Sequence, residues 1–255
     1  MRILLTNDDG IFAEGLAVLR RALADLAEAV YVIAPDRERS AVSHAITMHR
    51  PLRVRETKFQ DPHCRGWVVD GTPADCVKLA LESLVPAPPD LVVAGINLGP
   101  NLGTDVLYSG TVASAVEGLL NGVPSLAVSL ATRRDPDYAA AAVFVRDLVP
   151  LILQRGLPRG TLLNINVPGG TPRGHRLTVL GALRYVNAID HRVDPRGRDY
   201  FWMAGQPEVV GDVDPDSDIA AVREGYISIT PLKVDLTDRA TMKILSRWPI
   251  GRNGH

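Results

Sequence analysis

The sequence predicts an α/β fold, a Rossmann-like, mostly parallel sheet flanked by helices, with a C-terminal β-hairpin arm used in oligomerisation. Three observations carry this. Short continuous apolar runs at Ile3-Leu4-Leu5, Val30 to Ala34, Leu91 to Ala94 and Leu126 to Leu130 read as strands buried on both faces. Helix-period segments at 14–27, 73–84, 111–121 and 136–154 alternate with them, as right-handed βαβ crossovers require. After residue 175 the texture changes to polar, Pro/Gly-punctuated chain carrying an aromatic ribbon.

In order along the chain, the first four strands and helices alternate and a fifth strand, Thr161 to Val167, follows. Asp194-Pro195-Arg196-Gly197 is a turn signal ahead of Tyr200-Phe201-Trp202-Met203, one leg of an exposed hairpin. Tyr185, Tyr200, Phe201 and Trp202 have no apolar partner nearby in sequence, which points to burial against another subunit. Tyr226 to Thr230 alternates as a late strand, and 237–247 reads as a last helix. We therefore expect an α/β catalytic core over 1–180. The arm over 181–255, made of hairpin, late strand and terminal helix, is expected to pack on the core and on a partner subunit.

Composition excludes several classes. With 255 residues, 46% hydrophobic and 22% charged, the chain can bury a large core and is not disordered. Its 28 basic and 29 acidic side chains leave a formal net charge of −1, so no polyanion-steering field and no nucleic-acid polymer partner are expected. Cys64 and Cys76 fit neither a disulfide framework nor a metal spacing. No signal peptide and no stretch of about 18 apolar residues is present, so we expect a cytoplasmic protein without a membrane partner.

Ligands of open α/β sheets bind beyond the carboxyl ends of the strands. The first run is followed by Thr6-Asn7-Asp8-Asp9-Gly10. A turn with an Asp helix cap ahead of Glu14 would occupy one carboxylate; a cation held by Asp8 and Asp9 would occupy both. The second run leads to Asp36-Arg37-Glu38-Arg39-Ser40 and then Ser43-His44. This is either a charged surface loop with Ser40 as a helix cap, or a loop offering Ser40 as an oxygen ligand and Arg37 or Arg39 to an anion. His44 is the one histidine placed near it; the six histidines (44, 49, 63, 175, 191, 255) form no metal pattern. The third run leads to a Gly-rich loop, 95–103, whose backbone can approach a ligand closely, with Asn97 offering a carbonyl oxygen. Ser109-Gly110-Thr111 then opens a helix. Its free N–H groups and two hydroxyls suit a phosphate, although Ser109 or Thr111 can equally serve as a plain cap.

Asp8, Asp9, Ser40 and Asn97 thus converge from three strand ends beside an anion site, and all-oxygen ligation suits Mg²⁺, Mn²⁺ or Ca²⁺ rather than zinc. Gly71-Thr72-Pro73-Ala74-Asp75 reads instead as a helix start, with Thr as cap and Asp at the third position. No GxSxG elbow and no GxGxxG fingerprint is present, which argues against acyl hydrolysis and a dinucleotide-binding dehydrogenase. A phosphoacceptor signalling module would need an acceptor Asp where this chain has Gly95 and Asn97.

ILLTNDDGI (3–11), APDRERSAVSHAIT (34–47), GTPADCVKLA (71–80), PDLVVAGINLGPNLGTDVLYSGTVASAVEG (89–118), LNINVP (163–168) and REGYISITPLKVDLT (223–237) together closely resemble the SurE family of survival-protein 5′-nucleotidases. The resemblance implies divalent-metal-dependent hydrolysis of nucleoside monophosphates, with 3′-nucleotidase and exopolyphosphatase activity as possible extensions. It places one metal ion per subunit on Asp8, Asp9, Ser40 and Asn97, catalysis on Asp8 and Asp9, and the phosphate on Ser109, Gly110 and Thr111. Asn101, His44 and Arg39 are expected as further substrate contacts. It also implies a homodimer or tetramer built through the arm. Ala41 departs from the pattern, since many relatives carry Gly after the Ser ligand, and a modest backbone adjustment is expected there. Segment 205–220 follows the family less tightly. A non-hydrolytic nucleotide sensor on the same scaffold is the alternative.

Overall fold

The first strand, β1 (Arg2–Thr6), sends Ile3 and Leu5 into one apolar layer and Leu4 into the other, all three fully buried. A continuous apolar run is what a strand covered on both faces requires. The computed structural model describes residues 1–203 and 205–248; His255 and the end of the 181–255 arm segment lie outside them. Along the chain follow α1 (Glu14–Ala24), β2 (Ala29–Pro35), β3 (Val54–Lys58), β4 (Cys64–Val69), α2 (Pro73–Leu79), β5 (Leu91–Leu98), α3 (Gly110–Leu120), β6 (Ser125–Ala131), α4 (Ala139–Arg155) and β7 (Thr161–Pro168). The remainder comprises β8 (His175–Leu177), β9 (Leu183–Val186), β10 (Ile189–Val193), β11 (Asp199–Met203), β12 (Gln206–Val209), α5 (Asp218–Arg223), β13 (Ile227–Lys233) and α6 (Arg239–Leu245).

Nine strands form the central sheet in the order β3-β4-β2-β1-β5-β6-β7-β13-β8. The run from β4 to β7 is parallel, while β3 and β13 pair antiparallel with β4 and β7. The predicted α/β architecture is thus the observed one. Leu16, Leu19 and Leu23 of α1 share a layer with Val145, Val149 and Ile152 of α4. Each such side chain contributes roughly 1.5–3 kcal/mol by leaving water. On the other face Cys76 and Val77 of α2 pack on Leu4, Tyr31 and Ile33, and Val112 and Ala115 of α3 on Ala94, Ala127 and Leu162.

The chain order reverses between β1 and β5, which are hydrogen-bonded neighbours although β2 to β4 intervene in sequence. This switch point opens a crevice at the carboxyl ends of β1 and β5. The segments ending in Asp8-Asp9 and Asn97 therefore meet there by topology.

Some boundaries differ from expectation. The helix expected over 73–84 ends at Leu79 and passes into a π-type turn over Ala80–Leu84, closed by Val85 N–H donating to Ala80 O (3.1 Å). The capping box at its start is as read: Thr72 Oγ1 accepts from Asp75 N (3.0 Å) and Asp75 Oδ2 from Thr72 N (2.9 Å). In the arm, β10 and β11 form the expected hairpin, and β9 and β12, which flank it in sequence, pair as a second two-stranded ribbon. Every residue of β11 is exposed, and no residue of α6 is buried. The late strand β13 instead returns to the sheet between β7 and β8.

Candidate metal and phosphate site

Neither Asp8 nor Asp9 caps α1. The cap position is Ala13, which makes no side-chain bond, and the turn after β1 is closed by Asn7, whose Nδ2 donates to Gly10 O (2.9 Å) and whose Oδ1 accepts from Gly10 N (3.2 Å). The turn thus leaves both carboxylates to the crevice. Asp8 Oδ1 accepts from the Thr111 hydroxyl, and Asp9 Oδ2 from Leu98 N (3.1 Å). Burial pushes the Asp8 carboxyl above its usual range against the pull of the Thr111 bond. Burial and the neighbouring Asp8 push Asp9 up to about 6. Neither joins an ion pair among the described residues. Two adjacent carboxylates, Asp8 buried and Asp9 half-buried, with no ion-paired cationic side chain on either, suit a bound cation.

Asn97 is the penultimate residue of β5, whose register against β6 shifts between Ala94 and Asn97. Its Nδ2 donates to Gly99 O (2.8 Å), so the amide is oriented by its nitrogen end and its carbonyl oxygen is left for a ligand. Ser40 caps no helix; its Oγ donates to Glu38 Oε1 (2.6 Å). A hydroxyl whose proton is given to a carboxylate is held with its lone pairs free for a cation. The loop is docked to the site by Arg39 N–H donating to Asp8 O (2.7 Å), and Glu38 is near enough to add negative potential at Asp8 and Asp9. Two carboxylates, an amide carbonyl and a hydroxyl fit a divalent hard ion. Among the described residues no cluster of three or more His, Cys, Asp and Glu offers a competing site.

The α3 N-terminus abuts this group. Ser109 Oγ accepts from Val112 N (3.1 Å) and caps the helix, so the cap reading and the anion reading coexist. Thr111 is fully buried, with its hydroxyl directed at Asp8. Asn101 is turned inward: Nδ2 donates to Ser129 Oγ (2.7 Å), its N–H to Asn166 Oδ1 (2.8 Å), and its carbonyl accepts from Asn164 and Asn166. It anchors the Gly-rich loop, with one amide oxygen left over. His44 Nε2 pairs with Glu117 Oε2 (2.8 Å), six residues and about 9 Å further along α3 from Thr111. Arg39 Nη2 pairs with Asp36 (3.2 Å). The structure therefore brings Asp8, Asp9, Asn97, Gly110 and Thr111 together and sets Ser40 beside them, while the His44 and Arg39 side chains are engaged by Glu117 and Asp36.

Sequence reasoning missed a further wall. The loop after β6 brings Arg133 over Gly99, and Tyr138 lies against Gly15 with burial, then Asp9, raising its phenol. Applying the strand-end test to the fourth run, as to the first three, finds Arg133. Asp218, buried and accepting from the N–H groups of Gly103 (2.8 Å), Gly181 and Ile219 (both 2.9 Å), gives no such signal, because its partners are backbone groups and two of them, Gly103 and Gly181, are distant in sequence.

Fold and site together define an α/β protein that sets paired carboxylates beside a helix N-terminus at its switch point. A family profile described as survival protein SurE matches residues 3–187. The 5′-nucleotidase SurE of Desulforudis audaxviator is 64% identical over the whole of both chains, and that of Desulforamulus reducens 56% identical over 97% of this chain and 98% of its own. The crystal structure of the SurE protein from Aquifex aeolicus superposes with a TM-score of 0.83 at 39% identity, covering 96% of this chain and 98% of that one. The chain belongs to the SurE family.

Proposed function

We propose that this chain is a 5′-nucleotidase, hydrolysing nucleoside monophosphates with the help of one divalent cation, Mg²⁺ or Mn²⁺. The relatives' shared name supports a phosphoric monoester hydrolase. The observation that carries the metal-dependent reading is the contact between Asp8 and the start of α3, which puts a cation-suited carboxylate pair directly against a phosphate-suited helix end. Asp8, Asp9, Ser40 and Asn97 would hold the ion, which when bound acidifies a water and offsets phosphoryl charge. The N–H groups of Gly110 and Thr111 hold phosphoryl oxygens, and the α3 dipole favours their charge. Thr111 fixes Asp8, and Leu98 N–H fixes Asp9 through Oδ2, leaving Asp9 Oδ1 as the more open acceptor for the proton of the attacking water.

The 1–180 core carries this site and the 181–255 arm packs on the core and on a partner subunit; 3′-nucleotides and short polyphosphate are further candidate substrates. The bare apolar faces of β11 (Phe201, Trp202, Met203) and α6 (Met242, Ile244) support self-association as a dimer or tetramer. Two free, buried cysteines support a reducing, cytoplasmic setting. Among the described residues no helix is long and apolar enough to cross a membrane.

Phosphate release from a panel of nucleoside monophosphates with Mn²⁺, Mg²⁺ or EDTA tests the reading. Turnover that EDTA abolishes is expected, as is its loss in a folded Asp8→Ala chain. No release under any metal from folded protein would sink hydrolysis and leave a nucleotide sensor.

A further inference from the structure

We infer that Arg133 is a substrate-binding residue, taking the non-bridging oxygens of the phosphoryl group from the side opposite α3. This deepens the nucleotidase reading and rests on it. Arg133 lies in the loop between β6 and α4 and is exposed, and no carboxylate holds it among the described residues. Its guanidinium lies flat across the backbone of Gly99: a Cβ built there falls 3.0 Å from both Nε and Nη2 and 3.1 Å from Cζ. Gly99 belongs to the turn that positions the site, since its carbonyl orients Asn97 and the preceding Leu98 N–H holds Asp9. The cation therefore stands on the same few backbone atoms as two of the ligand groups, and close enough to Asp9 to ease its ionisation slightly.

Charge balance gives it a task. Asp8, Asp9 and Glu38 surround the crevice, and a phosphate monoester brings about two more negative charges. One divalent ion offsets the aspartates and leaves the incoming dianion facing Glu38. Of the other basic side chains near the crevice, Arg39 pairs through Nη2 with Asp36 and His44 with Glu117, while exposed Arg37 sets its backbone 3.4 Å from a Cβ built on Gly10 and is carried by the loop after β2, not by the turn that holds Asn97 and Asp9. A planar guanidinium free of carboxylates and resting on a glycine presents a fork that matches two phosphate oxygens. The alternative is a prop that merely packs on Gly99, and the two differ in what a variant loses.

The test uses the full-length chain with saturating Mn²⁺, measuring the affinity of inorganic phosphate by calorimetry, the KM and kcat for a nucleoside monophosphate, Mn²⁺ affinity and the thermal midpoint. For Arg133→Ala we expect phosphate affinity to fall about 10- to 100-fold and KM to rise in step. Mn²⁺ affinity should stay within about twofold and the midpoint unchanged, with Arg133→Lys recovering part of the loss. Unchanged phosphate affinity would overturn the inference, as would a parallel loss of Mn²⁺ affinity, which marks a prop. Phosphate binding reports on Arg133 even if the wild-type chain releases no phosphate, so failure of the nucleotidase reading stays separable from failure of this one.

Discussion

Gly110 lies against Asp8 with no space for a side chain between them: a Cβ built on Gly110 falls 2.8 Å from Asp8 Cβ and 2.9 Å from Asp8 Oδ2. Alanine is the better helix former by about 1 kcal/mol, so helix propensity alone favours Gly110→Ala. The contact demands the reverse, because Asp8 must shift, and a misplaced reacting group costs up to about 100-fold in rate. We expect Gly110→Ala to fold, by circular dichroism, and to lose about 10- to 100-fold in kcat/KM for phosphate release. Full activity would show that the close approach is incidental.

Ala41 sits beside Ser40 with φ of 55°. At that φ the chain accepts a Cβ penalty of roughly 1–2 kcal/mol next to Ser40. Glycine relieves that strain but loosens the unfolded chain by about 0.4–1 kcal/mol. Ala41→Gly should therefore raise stability by a net of about 0.5–1 kcal/mol in urea unfolding. A variant less stable than wild type would mean that Ala41 makes contacts worth more than its strain.

What the sequence revealed follows the range of the interactions involved. β1, β2, β5 and β6 were legible because strands covered on both faces must be apolar at every position. β3 reads Val-Arg-Glu-Thr-Lys and is half-exposed at the sheet edge, so it carries no such run. Asp8, Asp9 and Asn97 are legible because the topology sends the carboxyl ends of the parallel strands to one rim. His44 and Arg39 were placed with them by nearness along the chain, whereas Glu117 and Asp36, one of them far away in sequence, claim their side chains. The inward turn of Asn101 depends on Ser129, Asn164 and Asn166, a buried polar network that joins two later strands and cannot be read from the loop alone.

The metal-stripped chain should reveal the carboxylate pair through pH. The Asp9 carboxyl is raised from 3.8 to about 6 in the folded state, so the fold binds that proton more tightly than the unfolded chain does. The resulting stabilisation is complete below pH 3.8 and disappears as pH rises through about 6. In EDTA, the thermal midpoint of wild type relative to Asp9→Asn should fall between pH 4 and pH 7. Adding Mn²⁺ at pH 7 should raise the midpoint of wild type far more than that of the variant. Parallel midpoints across the range would show that Asp9 is as well solvated in the fold as in the unfolded chain.

Asp218 connects the arm to the Gly-rich loop after β5, and Asp218→Asn isolates that connection. Oδ1 accepts from Gly181 and Ile219, while Oδ2 accepts from Gly103, whose backbone touches the Gly181 carbonyl closely enough to exclude a Cβ. Asparagine can keep the first oxygen and its two bonds but sets an NH₂ against the Gly103 N–H, so the damage falls on the loop between Gly99 and Ser109. One buried donor left unpaired costs about 1–3 kcal/mol. We expect that loss in denaturant unfolding, faster amide exchange confined to the 99–109 segment, and a lower kcat, since Ser109 and Asn97 flank the loosened turn. The arm strand is held to the same loop by Thr104 Oγ1 donating to Leu183 O and Tyr185 donating to Asp105, both at 2.8 Å, so the exchange should spread to β9 but not to β1. Unchanged protection over 99–109 in a destabilised variant would place the role of Asp218 in the core alone and separate the arm from the site.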